Sequence, residues 1–299
     1  MTSNEVVRVV ENAKEESRVK IACCQIEPHV GRKEENVRKT LRSAEEAADG
    51  GAGIILLPEL ANTGYVFEAR SEANELSEEV PSGETTAIWA EFARNRGIYL
   101  AAGLAERESH RLYNSAVLMG PEGYIGKYRK LHLWNREKLF FEPGNLGLPI
   151  FHTPLGRLAM HVCYDMFLPE TTRIYALLGA DVILCMANIP YSDSVQDSRL
   201  VEAIVVAQAC SSSIYMAMVN RIGVERELPF LGRSMIVSPS GQLLAGPASL
   251  DREEIIFADC NLVEARLQKR WSSLNHVILD RRTDIYDPLL GYDDVPFSW

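Results

Sequence analysis

The chain has 299 residues, and its 31 Lys and Arg against 41 Asp and Glu give a formal net charge of −10. With 46% apolar residues, 20 Gly and 14 Pro, the composition excludes intrinsically disordered, collagen-like and low-complexity chains. The acidic balance argues against nucleic acid or an anionic membrane as a partner, because phosphate groups are bound by basic patches.

The compartment is predicted from what the sequence lacks. The first 18 residues carry several Glu and no apolar signal core, and no run of about 18 apolar residues is present for a membrane span. The six Cys include no C-x-x-C pair, and free thiols are typical of a reducing compartment. We therefore expect a cytoplasmic protein with no membrane segment.

Strands and helices alternate through the first half of the chain. Apolar positions at helical spacing follow the first strand, and the second strand is apolar throughout, as expected for a strand that is buried on both faces. The predicted strands are 19–25, 53–57 and 98–104, the predicted helices are 34–48 and 84–95, and a hairpin joins 112–119 to 123–128.

The second half repeats this order. Short matching segments begin at Gly51 and Gly179, at Ile98 and Ile214, and at Leu118 and Ile236. Two similar β/α layers, each with an apolar sheet face, bury that face by packing on each other. We therefore predict an α/β fold, a four-layer α-β-β-α sandwich with an internal pseudo-two-fold repeat. The corresponding elements are strands 158–163, 181–187 and 214–219, helices 170–178 and 200–210, and a hairpin from 234.

The two ends of the chain differ from the rest. Residues 1–18 are polar and predicted to be a tail, residues 19–270 form the predicted domain, and residues 271–299 form a C-terminal extension. The extension is rich in aromatic residues and has no clear period. Its apolar residues require burial, so we expect it to pack at the interface of a homodimer or higher homo-oligomer. These residues are Ile285, Tyr286, Leu289, Leu290, Phe297 and Trp299.

Three predicted strand ends carry reactive side chains, and in α/β sheets chemistry collects at the carboxyl ends of strands. Glu59 follows a buried strand and Pro58, which places a carboxylate in the position of a base or of a loop acid. Lys130 ends the hairpin, where it binds an anion or lies on the surface. Cys163 lies at a strand-to-helix turn, as a nucleophile or as a buried thiol.

His161 is the rival base, because it precedes Cys163 by two residues on the same strand face. The six His and six Cys include no cluster or spacing typical of a zinc site. No glycine-rich phosphate-binding loop occurs, so we expect neither metal nor cofactor.

Together, these segments resemble the nitrilase superfamily of carbon–nitrogen hydrolases, from Val19 to Asp259. Each motif alone is weak, but all of them occur in the family's order. The motifs are Leu57-Pro58-Glu59, Thr63-Gly64-Tyr65, Tyr113-Asn114-Ser115-Ala116, Arg129-Lys130-Leu131-His132-Leu133, Glu137-Lys138 with Phe141-Glu142-Pro143-Gly144, Cys163-Tyr164-Asp165 with Pro169-Glu170, and Asn220-Arg221-Ile222-Gly223 with Glu225.

The resemblance implies an α-β-β-α sandwich and a cofactor-free Glu-Lys-Cys triad. Glu59 is then the general base, Lys130 supports the oxyanion, and Cys163 is the nucleophile that forms a thioester. Glu137 matches the family's second glutamate, which we expect to orient Lys130 or the substrate. The backbone N–H of Tyr164 is expected to be the other oxyanion donor.

The substrate is predicted to be a small primary carboxamide. Nitrilases tend to carry Cys-Trp-Glu, whereas this chain has Cys163-Tyr164-Asp165, which is similar to the amidase and carbamoyl-hydrolase branches. N-carbamoyl compounds are the alternative, and a nitrile is less favoured. Asn188 is expected to contact the substrate, and Ile189 replaces the Trp that is common at the next position. An inert scaffold remains the non-enzymatic alternative.

Overall fold

The structure is a computed structural model that describes residues 18–191 and 198–290. The strands are β1 (Arg18–Gln25), β2 (Ile54–Leu56), β3 (Tyr99–Glu108), β4 (Arg111–Gly120), β5 (Gly123–Arg129), β6 (Phe151–Thr153), β7 (Gly156–Val162), β8 (Val182–Ala187), β9 (Tyr215–Asn220), β10 (Val224–Glu225), β11 (Leu228–Pro229), β12 (Met235–Val237), β13 (Leu243–Ala245) and β14 (Glu254–Asn261). The α-helices are α1 (Lys33–Asp49), α2 (Arg70–Leu76), α3 (Glu84–Arg96), α4 (Pro169–Leu177), α5 (Ser198–Ser212), α6 (Glu264–Leu267) and α7 (Thr283–Leu290). Two 3₁₀ helices cover Asn135–Leu139 and Cys163–Phe167.

Two six-stranded sheets form the centre of the fold. The first has the order β14-β1-β2-β3-β4-β5, and the second has the order β6-β7-β8-β9-β12-β13. In each sheet three neighbouring strands are parallel, namely β1, β2 and β3 or β7, β8 and β9, and the remaining pairs are antiparallel. The two halves therefore repeat one topology, which confirms the predicted α-β-β-α fold.

The sheets face each other across a shared apolar core, and helices cover their outer faces. Successive side chains of a strand point to opposite faces. Ile54 and Leu56 of β2 accordingly join the core that contains Met160 of the second sheet. Ile55 instead packs against Trp89 of α3 on the outer face. This alternation buries both faces of β2 and explains its uninterrupted apolar sequence.

Most element bounds lie close to the prediction, but the edges of the sheets do not. Strands β6 and β14 were not predicted, and each is the antiparallel edge of its sheet beside the first parallel strand. Arg18, predicted to end the tail, is the first residue of β1 and pairs with Asn261 of β14. Pairing with a distant partner decides these strands, and periodicity within one segment does not show it.

The C-terminal region has more regular structure than predicted. Helix α7 forms where no period is evident, and Arg270 pairs with His276 in an isolated bridge. Residues 1–17 and 291–299 lie outside the described residues, so the predicted tail and the burial of Phe297 and Trp299 are not addressed by the structure. Within residues 18–191 and 198–290, no helix combines the length and the apolar character needed to cross a bilayer.

Candidate active site

Glu59 is fully buried just beyond the carboxyl end of β2. Gly103 of β3 makes this position possible, because its backbone N–H donates to the Pro58 carbonyl at 3.0 Å. A Cβ on Gly103 would lie 2.5 Å from the Cα of Glu59. The missing side chain lets the two strands approach closely and sets the depth of the carboxylate.

The Glu59 carboxylate accepts hydrogen bonds from both sheets. On Oε1, Asn114 Nδ2 donates at 2.6 Å and Lys130 Nζ at 2.7 Å. On Oε2, the backbone N–H of Asn188, just after β8, donates at 2.8 Å. The Asn188 side chain also donates to the Glu59 carbonyl at 2.7 Å. Asn188 therefore contacts Glu59 directly, and its expected contact with the substrate stays a prediction.

Lys130 lies between two carboxylates at the end of β5. Its Nζ is 2.7 Å from Glu59 Oε1 and 2.7 Å from Glu137 Oε1, and its side chain is fully buried. Burial alone would lower the pKa of Lys130, but the charges of Glu137 and Glu59 outweigh it and hold that pKa well above its usual range. The ammonium group stays charged throughout the neutral range.

Glu137 projects from the first 3₁₀ helix and completes the buried cluster. Its Oε2 accepts from the Trp134 backbone N–H at 3.1 Å, and its Oε1 accepts from the Tyr65 hydroxyl at 2.7 Å. Burial raises the pKa of Glu137 to about 7, the Lys130 charge opposes this, and the Glu59 charge adds to it. The pKa of Glu137 therefore depends on each hydrogen-bond donor that contacts its carboxylate.

Cys163 begins the second 3₁₀ helix directly after β7. The predicted strand 158–163 included Cys163, whereas β7 ends one residue earlier, at Val162. The Cys163 φ of 49° is the left-handed conformation, which is strained for a side-chain-bearing residue and typical of functional turns. Asp165 fixes this turn. Its Oδ2 accepts from the Val162 N–H at 3.2 Å and the Tyr128 hydroxyl at 2.7 Å, and its Oδ1 accepts from the His132 N–H at 3.0 Å.

Cys163 is 6% exposed, and the charges of Glu59, Lys130 and Glu137 act on its thiol. Burial raises its pKa well above the usual range, and Glu59 raises it further, whereas Lys130 lowers it. The resting sulfur is therefore a neutral thiol. A nucleophilic role then requires a base that takes the proton as the sulfur attacks.

His161 does not have the geometry of that base. Its ring lies 5.3 Å from the Tyr175 ring, and neither ring nitrogen has a hydrogen-bond partner within the part of the chain that the structure describes. Burial lowers the pKa of His161 to about 4. The His161 side chain is thus a neutral part of the apolar core.

Two cavities share part of their lining, and the Cys163 residue lines the smaller one. Trp134 and Pro190 line both, and the Trp134 ring packs 4.8 Å from the Tyr164 ring. The smaller cavity has a volume of about 170 Å³ and the larger about 360 Å³. The smaller one is lined by Trp134, Cys163, Tyr164, Phe167, Ile189, Pro190 and Leu200, and the larger one includes Tyr65, Arg136, Glu137, Phe140 and Leu228.

The structure brings the sequence-predicted residues Glu59, Lys130 and Glu137 into one hydrogen-bonded cluster and places Cys163 and Tyr164 at the small cavity. Asn114, Tyr65 and Asp165 occur in the family-like motifs, but the contacts of Asn114 and Tyr65 with the cluster and of Asp165 with the Cys163 turn were not predicted. Residues 18–191 and 198–290 contain no group of three or more His, Cys, Asp or Glu side chains with the geometry of a metal site.

The sequence also matches a known protein family. The model of the carbon-nitrogen hydrolase family covers residues 20–270. The chain belongs to this family, within the nitrilase superfamily. This carbon–nitrogen hydrolase is 41% identical over 270 residues to a protein named nitrilase from Pyrococcus abyssi, covering 90% of this chain and 99% of that one.

Other relatives of this carbon–nitrogen hydrolase carry amidase names. An (R)-stereoselective amidase from a Pseudomonas species is 30% identical, covering 83% of this chain and 87% of that one. The N-carbamoylputrescine amidase of Solanum lycopersicum is 28% identical, covering 86% and 90%. The crystal structure of a carbon-nitrogen hydrolase from Helicobacter pylori superposes with a TM-score of 0.82 at 27% identity, covering 92% of this chain and 99% of that one.

Proposed function

We propose that this enzyme hydrolyses a small primary carboxamide to the carboxylic acid and ammonia through a thioester on Cys163. The observation that carries the proposal is the buried Glu59–Lys130–Glu137 cluster, whose charges act on a thiol at the floor of a small cavity. The cluster offers a proton acceptor and a fixed positive charge, which are the two groups that attack on a carbonyl requires.

The proposed reaction begins when Glu59 takes the proton of Cys163 as the sulfur attacks the carbonyl carbon. Lys130 and the Tyr164 backbone N–H stabilise the negative oxygen of the tetrahedral intermediate, and one such donor is typically worth about 3–4 kcal/mol. Glu59 then gives the proton to the leaving nitrogen, so the C–N bond breaks and ammonia departs. Water then gives a proton to Glu59 and attacks the thioester, the C–S bond breaks, the sulfur takes that proton back from Glu59, and the acid leaves.

The two carboxylates have different roles in this proposal. Glu59 exchanges the proton, since it is the carboxylate held in place from both sheets. Glu137 binds Lys130 from the other side and orients its ammonium group. Because the Lys130 pKa stays well above its usual range, this residue supplies charge and does not act as the base.

The small cavity favours an uncharged acyl group. Its lining consists of aromatic and aliphatic side chains around Cys163, with no acidic or basic side chain among the described lining residues. A charged acyl chain would lose its hydration there without gaining a partner. An N-carbamoyl compound is the second candidate, because the larger cavity adjoins the first and gives room for a longer group. A nitrile is the third.

The test replaces Cys163 with Ala and measures ammonia release from a panel of amides, N-carbamoyl compounds and nitriles. Cys210→Ala is the matched control, because Cys210 is a partly buried thiol on α5 away from the cavity. We expect activity on small amides that Cys163→Ala abolishes and Cys210→Ala keeps. Undiminished ammonia release from Cys163→Ala contradicts the mechanism, and faster turnover of nitriles or carbamoyl compounds reassigns the substrate.

We further propose that the enzyme is a cytoplasmic homodimer or higher homo-oligomer. The six cysteines are free, which fits a reducing compartment. Apolar side chains of the C-terminal extension are exposed on the chain by itself, and contact with a second copy would bury them. These side chains include Trp271, Leu274, Leu279 and Ile285.

A further inference from the structure

The Tyr65 hydroxyl is hydrogen-bonded to the buried cluster of Glu59, Lys130 and Glu137. It donates to Glu137 Oε1 at 2.7 Å, the same oxygen that accepts from Lys130 Nζ at 2.7 Å. This carboxylate oxygen therefore accepts one hydrogen bond from a phenol and one from an ammonium group. The Tyr65 ring also lines the larger cavity, so this hydroxyl lies at the boundary between the cluster and the open part of the site.

The second half of the chain holds Tyr65 in this place. Glu225 Oε2 accepts from the backbone N–H groups of Tyr65 at 2.7 Å and Val66 at 2.6 Å. Glu225 Oε1 is paired with the buried Arg221 at 3.1 Å. Gly64 has a φ of +80°, and a Cβ there would lie 2.6 Å from Glu225 Oε1, so the turn before Tyr65 requires glycine.

We propose that Tyr65 is a positioning residue that holds the Glu137 carboxylate as an ionised acceptor for Lys130. This inference rests on the proposed function for its kinetic consequences, but the hydrogen bond itself is independent of the substrate. Without the phenol, Glu137 Oε1 loses one of its two hydrogen-bond donors. The carboxylate then takes up a proton more readily, and a protonated Glu137 no longer pairs as an anion with Lys130.

The charges around Glu137 give the direction of the effect. Lys130, Glu59, Tyr65 and Cys163 face the Glu137 carboxylate within the buried cluster. Burial raises the Glu137 pKa, and the Tyr65 hydrogen bond opposes that rise. Burial and the Glu137 charge hold the pKa of Tyr65 itself well above its usual range, so the phenol keeps its proton. Removing the phenol therefore raises the Glu137 pKa further.

The experiment compares Tyr65→Phe with Tyr215→Phe. Tyr215 also donates its hydroxyl proton to a glutamate, Glu264, at 3.0 Å, but it lies at the amino end of β9, away from the cavities. For Tyr65→Phe we expect kcat/KM to fall by about tenfold or more, as a lost hydrogen bond to a charged group does. The acidic limb of its pH–rate profile should move to higher pH by about one unit.

A second readout needs no substrate. The carboxylic-acid stretch of Glu137 in the infrared spectrum, assigned by its loss in Glu137→Gln, should titrate at higher pH in Tyr65→Phe than in the wild type or Tyr215→Phe. An unmoved infrared titration overturns the positioning role whatever the enzyme hydrolyses. A moved titration in a protein that hydrolyses no amide, carbamoyl compound or nitrile supports the role and overturns the proposed function instead.

Discussion

Replacing Lys130 with Met tests whether the buried charges of Glu59, Lys130 and Glu137 stabilise one another. At an effective dielectric constant of about 20, two unit charges 2.7 Å apart attract by about 6 kcal/mol, and Lys130 makes two such contacts. Desolvation of the three groups offsets much of this attraction. Removing one partner of a buried ion pair typically destabilises a protein by about 3–5 kcal/mol, which is the loss that we expect here at neutral pH.

The loss should depend on pH, and the sign follows from Glu137. Its pKa is raised above the unfolded value even with Lys130 present, because burial outweighs the lysine charge. Removing that charge raises the folded-state pKa further. A carboxyl group with a raised folded pKa contributes its stability fully below the unfolded pKa, and that stability is lost as the pH rises through the folded pKa. Lys130→Met should therefore be least destabilised below about pH 4.5 and most destabilised above about pH 7.

Urea unfolding followed by circular dichroism at several pH values measures this difference. Lys127→Met is the control, since Lys127 of β5 pairs with Glu106 of β3, outside the cluster. Activity of Lys130→Met should fall by about 10²–10³, the loss expected for one oxyanion donor. Equal destabilisation at acidic and neutral pH would refute the reasoning, because it would show that no carboxyl group takes up a proton when the ammonium group is removed.

Three further predictions concern neighbouring features. Asn114→Ala removes the 2.6 Å donor to Glu59 and should lower kcat/KM by about 10–100-fold, whereas an unchanged value would mean that Asn114 does not hold the base. The hydrogen bond to Asp165 raises the pKa of His132, so His132→Gln should lose stability below about pH 6 and little at alkaline pH; a pH-independent loss in unfolding titrations would contradict this. Leu274→Asp with Leu279→Asp, at positions 90% and 76% exposed, should shift sedimentation toward a monomer without unfolding the chain, and a wild type that is already monomeric at micromolar concentration would exclude the proposed oligomer.

The catalytic positions proposed from the sequence are those that neighbouring residues in the chain make recognisable. Glu59 and Cys163 each lie within three residues after an apolar strand, and a strand end is visible in the residues themselves. The contact between Asn188 and Glu59 was not visible in the sequence. It depends on how the two sheets pack, and the two residues are 129 positions apart. Tyr65 and Glu137 meet across 72 positions for the same reason.

The fold, too, was predictable only in part. The repeated order of strands and helices is written twice in the chain, so the four layers were predictable and are confirmed. The edge strands were not, since β6 has three residues and β14 is specified by its register with β1. The same limit applies to the turn at Cys163, whose left-handed φ is fixed by Asp165 through contacts with another sheet.

The proposed mechanism uses groups that follow strands of both sheets, and this has a consequence for the chain during its synthesis. Glu59 and Lys130 belong to the first sheet, whereas Cys163 and the Asn188 N–H belong to the second. In the proposed mechanism, a ribosome-bound first half therefore carries the base without the nucleophile, and a second half alone carries the thiol without its proton acceptor. If these are the reacting groups, hydrolysis requires both halves, and we expect either half expressed alone to be inert.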